Sequence, residues 1–199
     1  MAPSHFFFFF WNFIKQKRGT PRNDAKAVEY FSKAATEGFT SAQVALGRCY
    51  LDGAGVEKNS QKAMEWFEVA ASKNDPEAYF QLYHVFRVDQ QDLKKAAQYL
   101  LKSAEMGYSE AQFELGVNYH SGSDMIERNY NEATKWFEKA AQHGDVDAMF
   151  NLGLCYLEGM GVEKNLKKAF EWFEKGWADG DVSCGYNLGL CYLEGTGLF

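Results

Sequence analysis

The chain has 199 residues, 46% of them hydrophobic, with only three prolines (Pro3, Pro21 and Pro76). That composition excludes a disordered or collagen-like polymer and leaves enough apolar side chain for a sizeable helical core. The net charge is −6, from 21 Lys and Arg against 27 Asp and Glu, which lacks the basic footprint that non-specific nucleic-acid binding requires.

The chain opens on a largely apolar run of nine residues, Phe6 to Ile14, followed by Lys15, Lys17 and Arg18. A membrane helix needs ~20 apolar residues, so this run is too short to span. A secretory signal carries its positive charges ahead of the apolar run and a small-residue cleavage site behind it; here the charges come after. Residues 1–22 are therefore expected to be a disordered tail, with a hydrophobic strand folded onto the first helix or a gene-model artefact as related readings. A weak membrane-surface anchor through Phe6–Ile14 is the remaining alternative. With no signal peptide or transmembrane helix recognised, the expected compartment is the cytoplasm.

From Asn23 onward the chain repeats itself. Lys26-Ala27 recurs as Lys62-Ala63, Lys95-Ala96, Glu132-Ala133 and Lys168-Ala169, and an aromatic pair follows in phase: Tyr30-Phe31, Trp66-Phe67, Trp136-Phe137 and Trp172-Phe173, with Tyr99-Leu100 in the third copy. A second block keeps step. It consists of Leu46-Gly47, Leu115-Gly116, Leu152-Gly153 and Leu188-Gly189, with Leu82-Tyr83 as the exception, and each is followed four residues after the Leu by Tyr50, Tyr119, Tyr156, Tyr192 or, in the exception, Phe86. Periods of this length mean stacked supersecondary units.

Each period holds two helices. The first, called here the WF helix, is expected to be capped by Asn23, Asn59, Asp92, Asn129 or Asn165, whose short side-chain oxygens can accept from first-turn amides. It ends at Gly38, Asn74, Gly107, Gly144 or Gly180, residues that tolerate a left-handed C-terminus. Between these limits Ala133, Trp136, Phe137, Ala140 and Ala141 fall at i, i+3, i+4, i+7 and i+8, one buried stripe. The second, the LG helix, is expected to open after Thr40, Asp75, Ser109, Asp145 or Asp181 and to run to about Gly53, Arg87, Gly122, Gly159 or Gly195. Its shared glycine admits a neighbouring helix where any side chain would push it away.

These residues resemble the Sel-one-like repeat, a branch of the tetratricopeptide-like helical repeats. Ala148, Leu152-Gly153, Tyr156, Gly159, Gly161, Val162, Asn165, Lys168-Ala169 and Trp172-Phe173 carry the pattern in full. The resemblance covers 23–199, with repeats at about 40–74, 75–107, 108–144 and 145–180 and a partial one at 181–199. It implies an all-α, right-handed superhelical solenoid of about five helix pairs with a concave face. It also implies an adaptor role in signalling, in assembly of membrane complexes or in degradation of misfolded proteins. A regulatory module of a larger polypeptide bearing a kinase or ubiquitin-ligase domain is the alternative, and a secreted family member with hydrolase activity a more distant one. The second copy departs from the pattern through Tyr83 and the short, glycine-free connector Val88-Asp89-Gln90-Gln91, which makes it the expected place of altered superhelical pitch. The third connector, Gly122 to Arg128, is longer by one, and the chain stops inside a connector at Gly197-Leu198-Phe199.

Chemistry-bearing motifs are sparse. Gly53-Ala54-Gly55 and Gly159-Met160-Gly161 follow helices rather than strands and lack a third glycine, so they read as connectors and not phosphate loops. Cys49, Cys155 and Cys191 share one repeat position, the mark of a reused small hydrophobe, and with Cys184 they are expected to be reduced and mostly buried. A disulfide-rich branch of the resembled family staples its helices through paired cysteines and has been linked to β-lactam binding. Cys184 matches one of those positions, but Trp177 occupies the other, and the S-x-x-K and KTG elements of that chemistry are missing. His5, His84, His120 and His143 form no metal-ligand pair. The expectation is a non-enzyme with no catalytic residue, metal or cofactor, no nucleic-acid partner and no small-molecule substrate.

A second set of residues at i, i+4, i+7 lies on the LG helices opposite the core stripe: Val44-Arg48-Leu51, Phe80-His84-Arg87, Phe113-Val117-His120, Phe150-Leu154-Leu157 and Tyr186-Leu190-Leu193. A helix apolar on both sides is usually sandwiched between neighbours, and packing between repeats is one account of the set. In the resembled family the equivalent positions line the concave groove. That implies a groove with a basic N-terminal half (Arg48, His84, Arg87, His120) and an apolar C-terminal half. It would suit a protein segment with acidic residues at one end and apolar anchors at the other.

Overall fold

A computed structural model describes residues 22–195, and among them ten α-helices and no strand are present. The WF helices are α1 (Asp24–Thr36), α3 (Ser60–Ala71), α5 (Leu93–Glu105), α7 (Tyr130–Gln142) and α9 (Leu166–Ala178). The LG helices are α2 (Thr40–Asp52), α4 (Pro76–Val88), α6 (Ser109–Ser121), α8 (Val146–Glu158) and α10 (Val182–Glu194). Every extensive contact is between helices consecutive in the chain, as a quasi-one-dimensional stack requires. The apolar run Phe6–Ile14 and the residues Gly197 to Phe199 lie outside the described residues.

The caps explain the punctuation. Asn23, Asn59, Asp92, Asn129 and Asn165 each accept the backbone N–H three residues on, at 3.0, 2.9, 3.1, 3.2 and 2.9 Å. Asp75, Asp145 and Asp181 cap α4, α8 and α10 in the same way. Thr40 and Ser109 do not act as caps. They are already the first helical residues of α2 and α6, preceded by Phe39 and Tyr108 with no side-chain cap bond; Ser109 Oγ is buried without a protein partner. α4 runs to Val88, one residue past the expected Arg87.

The connectors are fixed by their glycines. A Cβ on Gly55 or Gly161 would strike the backbone of Asp24 or Tyr130 at the start of the preceding WF helix, and both glycines hold positive φ (75° and 71°). Backbone fills the space that a phosphate would need, so these are closures of the repeat. The next WF helix is pinned by its cap residue: Asn59, Asn129 and Asn165 donate their backbone N–H to the carbonyls of Tyr50, Tyr119 and Tyr156 at 2.8, 2.7 and 2.8 Å, and Asp92 to Phe86 at 2.9 Å.

The core divides into four buried clusters along the array, and the aromatic pairs of α3, α7 and α9 couple them. Neighbours on a helix point about 100° apart, so the two rings serve different clusters. Phe67 is buried in the cluster of the second repeat, while Trp66 packs on that of the first. Phe137 and Trp136 divide in the same way between successive clusters, as do Phe173 and Trp172. Only Trp136 is fully buried among the three tryptophans; Trp66 and Trp172 are half-buried.

Candidate functional site

The LG glycine is a socket. A Cβ on Gly47 would stand 2.5 Å from the Phe67 ring and on Gly116 2.6 Å from Phe137, and one on Gly153 would meet Phe173. Each glycine therefore seats the phenylalanine of the following WF helix. In the second copy the volumes are exchanged: Tyr83 stands for the glycine and Leu100 for the phenylalanine, and both are fully buried in one cluster. The Tyr83 hydroxyl donates to Glu114 Oε1 at 2.6 Å, and burial followed by Glu114 raises its pKa well above the usual phenol range.

The second set on the LG helices divides by position. Val44 is buried, while Phe80, Phe113 and Phe150 are half-buried. Phe113 and Phe150 lie 6.0 and 6.2 Å, centroid to centroid, from the Phe137 and Phe173 rings seated in the next junction. Phe80 packs on Tyr108 and His84 at 5.3 and 4.6 Å. Leu51, Val117, Leu154 and Leu157 are half-buried against neighbouring clusters. On α10, Tyr186, Leu190 and Leu193 are exposed.

The cations differ from the expected basic patch. Arg48 on α2 lies 3.6 Å from Glu77 on α4, and Arg87 on α4 lies 3.6 Å from Glu114 on α6 while covering the Tyr83 ring at 5.2 Å. His84 is half-buried, and desolvation followed by Arg87 lowers its pKa from the ordinary imidazole value. His120 is half-buried against Tyr130 and Phe137 at 5.3 and 6.3 Å. The N-terminal half is thus a charge-paired strip rather than a basic one, because each arginine finds an acid on the next LG helix. Glu77 and Glu114 stand 29 and 27 residues beyond their arginines, about two helical turns short of one repeat, so the repeat spacing alone did not reveal the pairs.

The remaining chemistry is quiet. Among the described residues no group of three or more His, Cys, Asp and Glu is placed to hold a metal ion. A shallow hollow beside the third connector is lined by Tyr119, Met125, Ile126, Glu127, Arg128 and Asn129. Cys155, Cys184 and Cys191 are buried and Cys49 is half-buried. Burial, with Asp181 beside it, pushes the Cys184 thiol up to about 12. Burial likewise raises Cys155 and Cys49.

This geometry of glycine sockets and paired aromatics has a known counterpart. The Sel1 repeat matches residues 16–39, 40–75, 78–108, 109–145, 146–181 and 185–199. The chain belongs to the Sel1 repeat family. Sel1 repeat proteins are generally protein-interaction modules, and their fold is typically a non-catalytic scaffold. The solved Sel1 repeat protein of Oxalobacter formigenes is 32% identical, with a TM-score of 0.77 over 85% of this chain and 50% of that one. A protective antigen of uropathogenic Escherichia coli with the same fold is 34% identical, with a TM-score of 0.74 over 90% of this chain and 39% of that one. Helicobacter pylori cysteine rich protein B is 28% identical, with a TM-score of 0.51 over 65% of this chain and 95% of that one. The chain spans half or less of the length of the first two of these Sel1 relatives. Among its described residues no helix is long and apolar enough to cross a membrane.

Proposed function

We propose that the chain is a non-catalytic adaptor that holds a segment of another protein along the LG helices of its first three repeats. The observation carrying this reading is a row of accessible polar and aromatic side chains contributed by successive helices: Arg48 and Glu77, His84 and Arg87, Glu114 and His120. Arg48 and Arg87 keep 59% and 41% of their side-chain surface exposed. Exposed pairs of this kind contribute ~0–1 kcal/mol, so a partner carboxylate can compete for either arginine. The binding segment is then one whose acidic residues exchange with Glu77 and Glu114, with apolar residues lying over Leu51, Phe80 and Phe113.

Charge reversal tests the reading. With a photo-crosslinking residue at Leu51 in the native cell, one dominant partner is expected, and the double change Arg48→Glu, Arg87→Glu should abolish its capture while shifting stability by no more than ~1 kcal/mol per pair. Capture that survives the double change would place the binding surface elsewhere.

A further inference from the structure

The second repeat differs from the others at its surface as well as in its core. Arg48 and Arg87 each stand 3.6 Å from an acid on the next LG helix, which is attraction without a hydrogen bond. The two acids are held differently. Glu114 Oε1, the atom that faces Arg87, already accepts the Tyr83 hydroxyl at 2.6 Å. A hydroxyl–carboxylate bond this short is charge-assisted and among the strong ones. Glu77 has no second donor of that kind among the described residues, so its charge is left to Arg48. The hydroxyl is available only here, because the other four LG helices carry glycine where α4 carries Tyr83.

Tyr83 also carries Arg87. The guanidinium lies over the Tyr83 ring at 5.2 Å, a stacking that holds the planar fork in place and leaves its N–H edge free for an acceptor. Beside it the floor is aromatic: His84 lies 4.7 Å from the Tyr83 ring and 4.6 Å from Phe80, centroid to centroid. Arg48 has no ring beneath it among the described residues and is the more exposed of the two arginines. A ligand must therefore order the Arg48 side chain, at a cost in rotamer freedom that Arg87 has already met.

We propose that the second repeat is the anchor of the partner strip: a side-chain carboxylate of the bound segment takes the free edge of Arg87 in a two-pronged contact, while Glu114 stays on the Tyr83 hydroxyl. Tyr83 is the positioning residue of this subsite, acting through Glu114 and through the ring under Arg87. The inference rests on the adaptor reading and adds which of the two arginines selects the partner. Taking Arg48 from Glu77 would leave a half-buried acid without its cation, whereas Arg87 can change partners with Glu114 still bonded. A singly charged carboxylate suits the subsite better than a phosphoryl group, because Glu114 stays beside Arg87 and repels further negative charge.

Heteronuclear NMR on the full 199-residue chain tests it through the arginine Nε–Hε signals, with a tetraglutamate peptide blocked at both ends as probe and its tetraglutamine counterpart as control. The Arg87 signal should shift and saturate at a lower tetraglutamate concentration than the Arg48 signal, and ignore tetraglutamine. Arg87→Gln should weaken peptide binding about tenfold, and Arg48→Gln by no more than about twofold. The positioning role has a signature that loss of structure would not give. Tyr83→Phe frees Glu114 to close on Arg87 and should weaken the peptide about threefold. Glu114→Gln removes that competitor and should strengthen it, and in that background Tyr83→Phe should have no further effect. Circular dichroism checks helix content; should Tyr83→Phe lose it, Glu114→Gln and the two arginine variants decide alone. Equal effects of the two arginine changes would overturn the proposal, as would a Tyr83→Phe effect that persists without Glu114, or an Arg87 signal that tetraglutamate leaves unmoved. A partner still captured through Leu51 by Arg87→Gln, but lost with the double change Arg48→Glu, Arg87→Glu, would remove the anchor and leave the adaptor reading standing.

Discussion

Gly153 and Gly189 occupy the same repeat position in opposite surroundings, one against the Phe173 ring and one open. A methyl group added at Gly153 must displace that ring, and overpacking of this kind costs ~1–3 kcal/mol. The same methyl at Gly189 meets nothing and improves helix propensity by about 1 kcal/mol. Gly153→Ala should therefore lower the melting temperature and Gly189→Ala should hold or raise it; equal effects would refute the socket. His84 carries a pH dependence whose sign follows from its lowered pKa, caused by burial, then by Arg87, with Glu114 opposing. The unfolded chain takes up this proton at higher pH than the folded chain. Stability from His84 is thus present above its unfolded value of 6.5 and lost as pH falls through the folded pKa. His84→Gln should flatten the stability profile as pH falls below 6.5 in urea titrations. The raised pKa of Cys49, Cys155 and Cys184 keeps these thiols protonated, so thiol labelling should be slow in the native chain and rise sharply on denaturation.

At the scale of the element, cap chemistry was legible wherever the side chain itself makes the bond, as Asn59 and Asp145 show. It failed at Thr40 and Ser109 because a hydroxyl beside an aromatic mimics a cap in sequence while standing one position inside the helix. The second repeat was flagged by Tyr83, but the compensation was not. Losing a glycine reads as strain until Leu100 is seen to have given up the matching ring, with Glu114 receiving the hydroxyl. Tyr83→Phe would remove the hydroxyl's bond to Glu114, which keeps Arg87 and solvent, so the cost should be ~1 kcal/mol, that of one hydrogen bond. Restoring the common pair through Tyr83→Gly and Leu100→Phe gives a sharper test. Each single change should destabilise, by a cavity or by a clash, and the double change should recover part of the loss. A double-mutant cycle with no coupling energy would show that the two sites are independent.

At the scale of the molecule, the period, the helix pairs and the buried stripe could all be read from the sequence, because repetition averages away local ambiguity. The second face of the LG helices could not be apportioned that way. Phe113 and Phe150 serve the junction with the next repeat, Arg48 and Arg87 are tied to acids on the next LG helix, and only contacts between repeats distinguish them. Those contacts predict that the array unfolds as one cooperative unit, and Trp136 is the place to test that. Its ring is buried in the cluster spanning Val44 to Leu115, while its neighbour Phe137 belongs to the cluster that follows. Truncation of a buried Trp to Ala costs ~3–5 kcal/mol, a large share of the ~5–15 kcal/mol available to a domain. The loss falls on the coupling between clusters as well as on either cluster alone, and in a linear array stability is the sum of repeat and interface terms. Trp136→Ala should therefore lower the midpoint and also split a single unfolding transition into two. In hydrogen exchange, α2 to α6 should open separately from α8 to α10. A variant that melts in one transition at the wild-type temperature would mean that the tryptophan does not join the two halves.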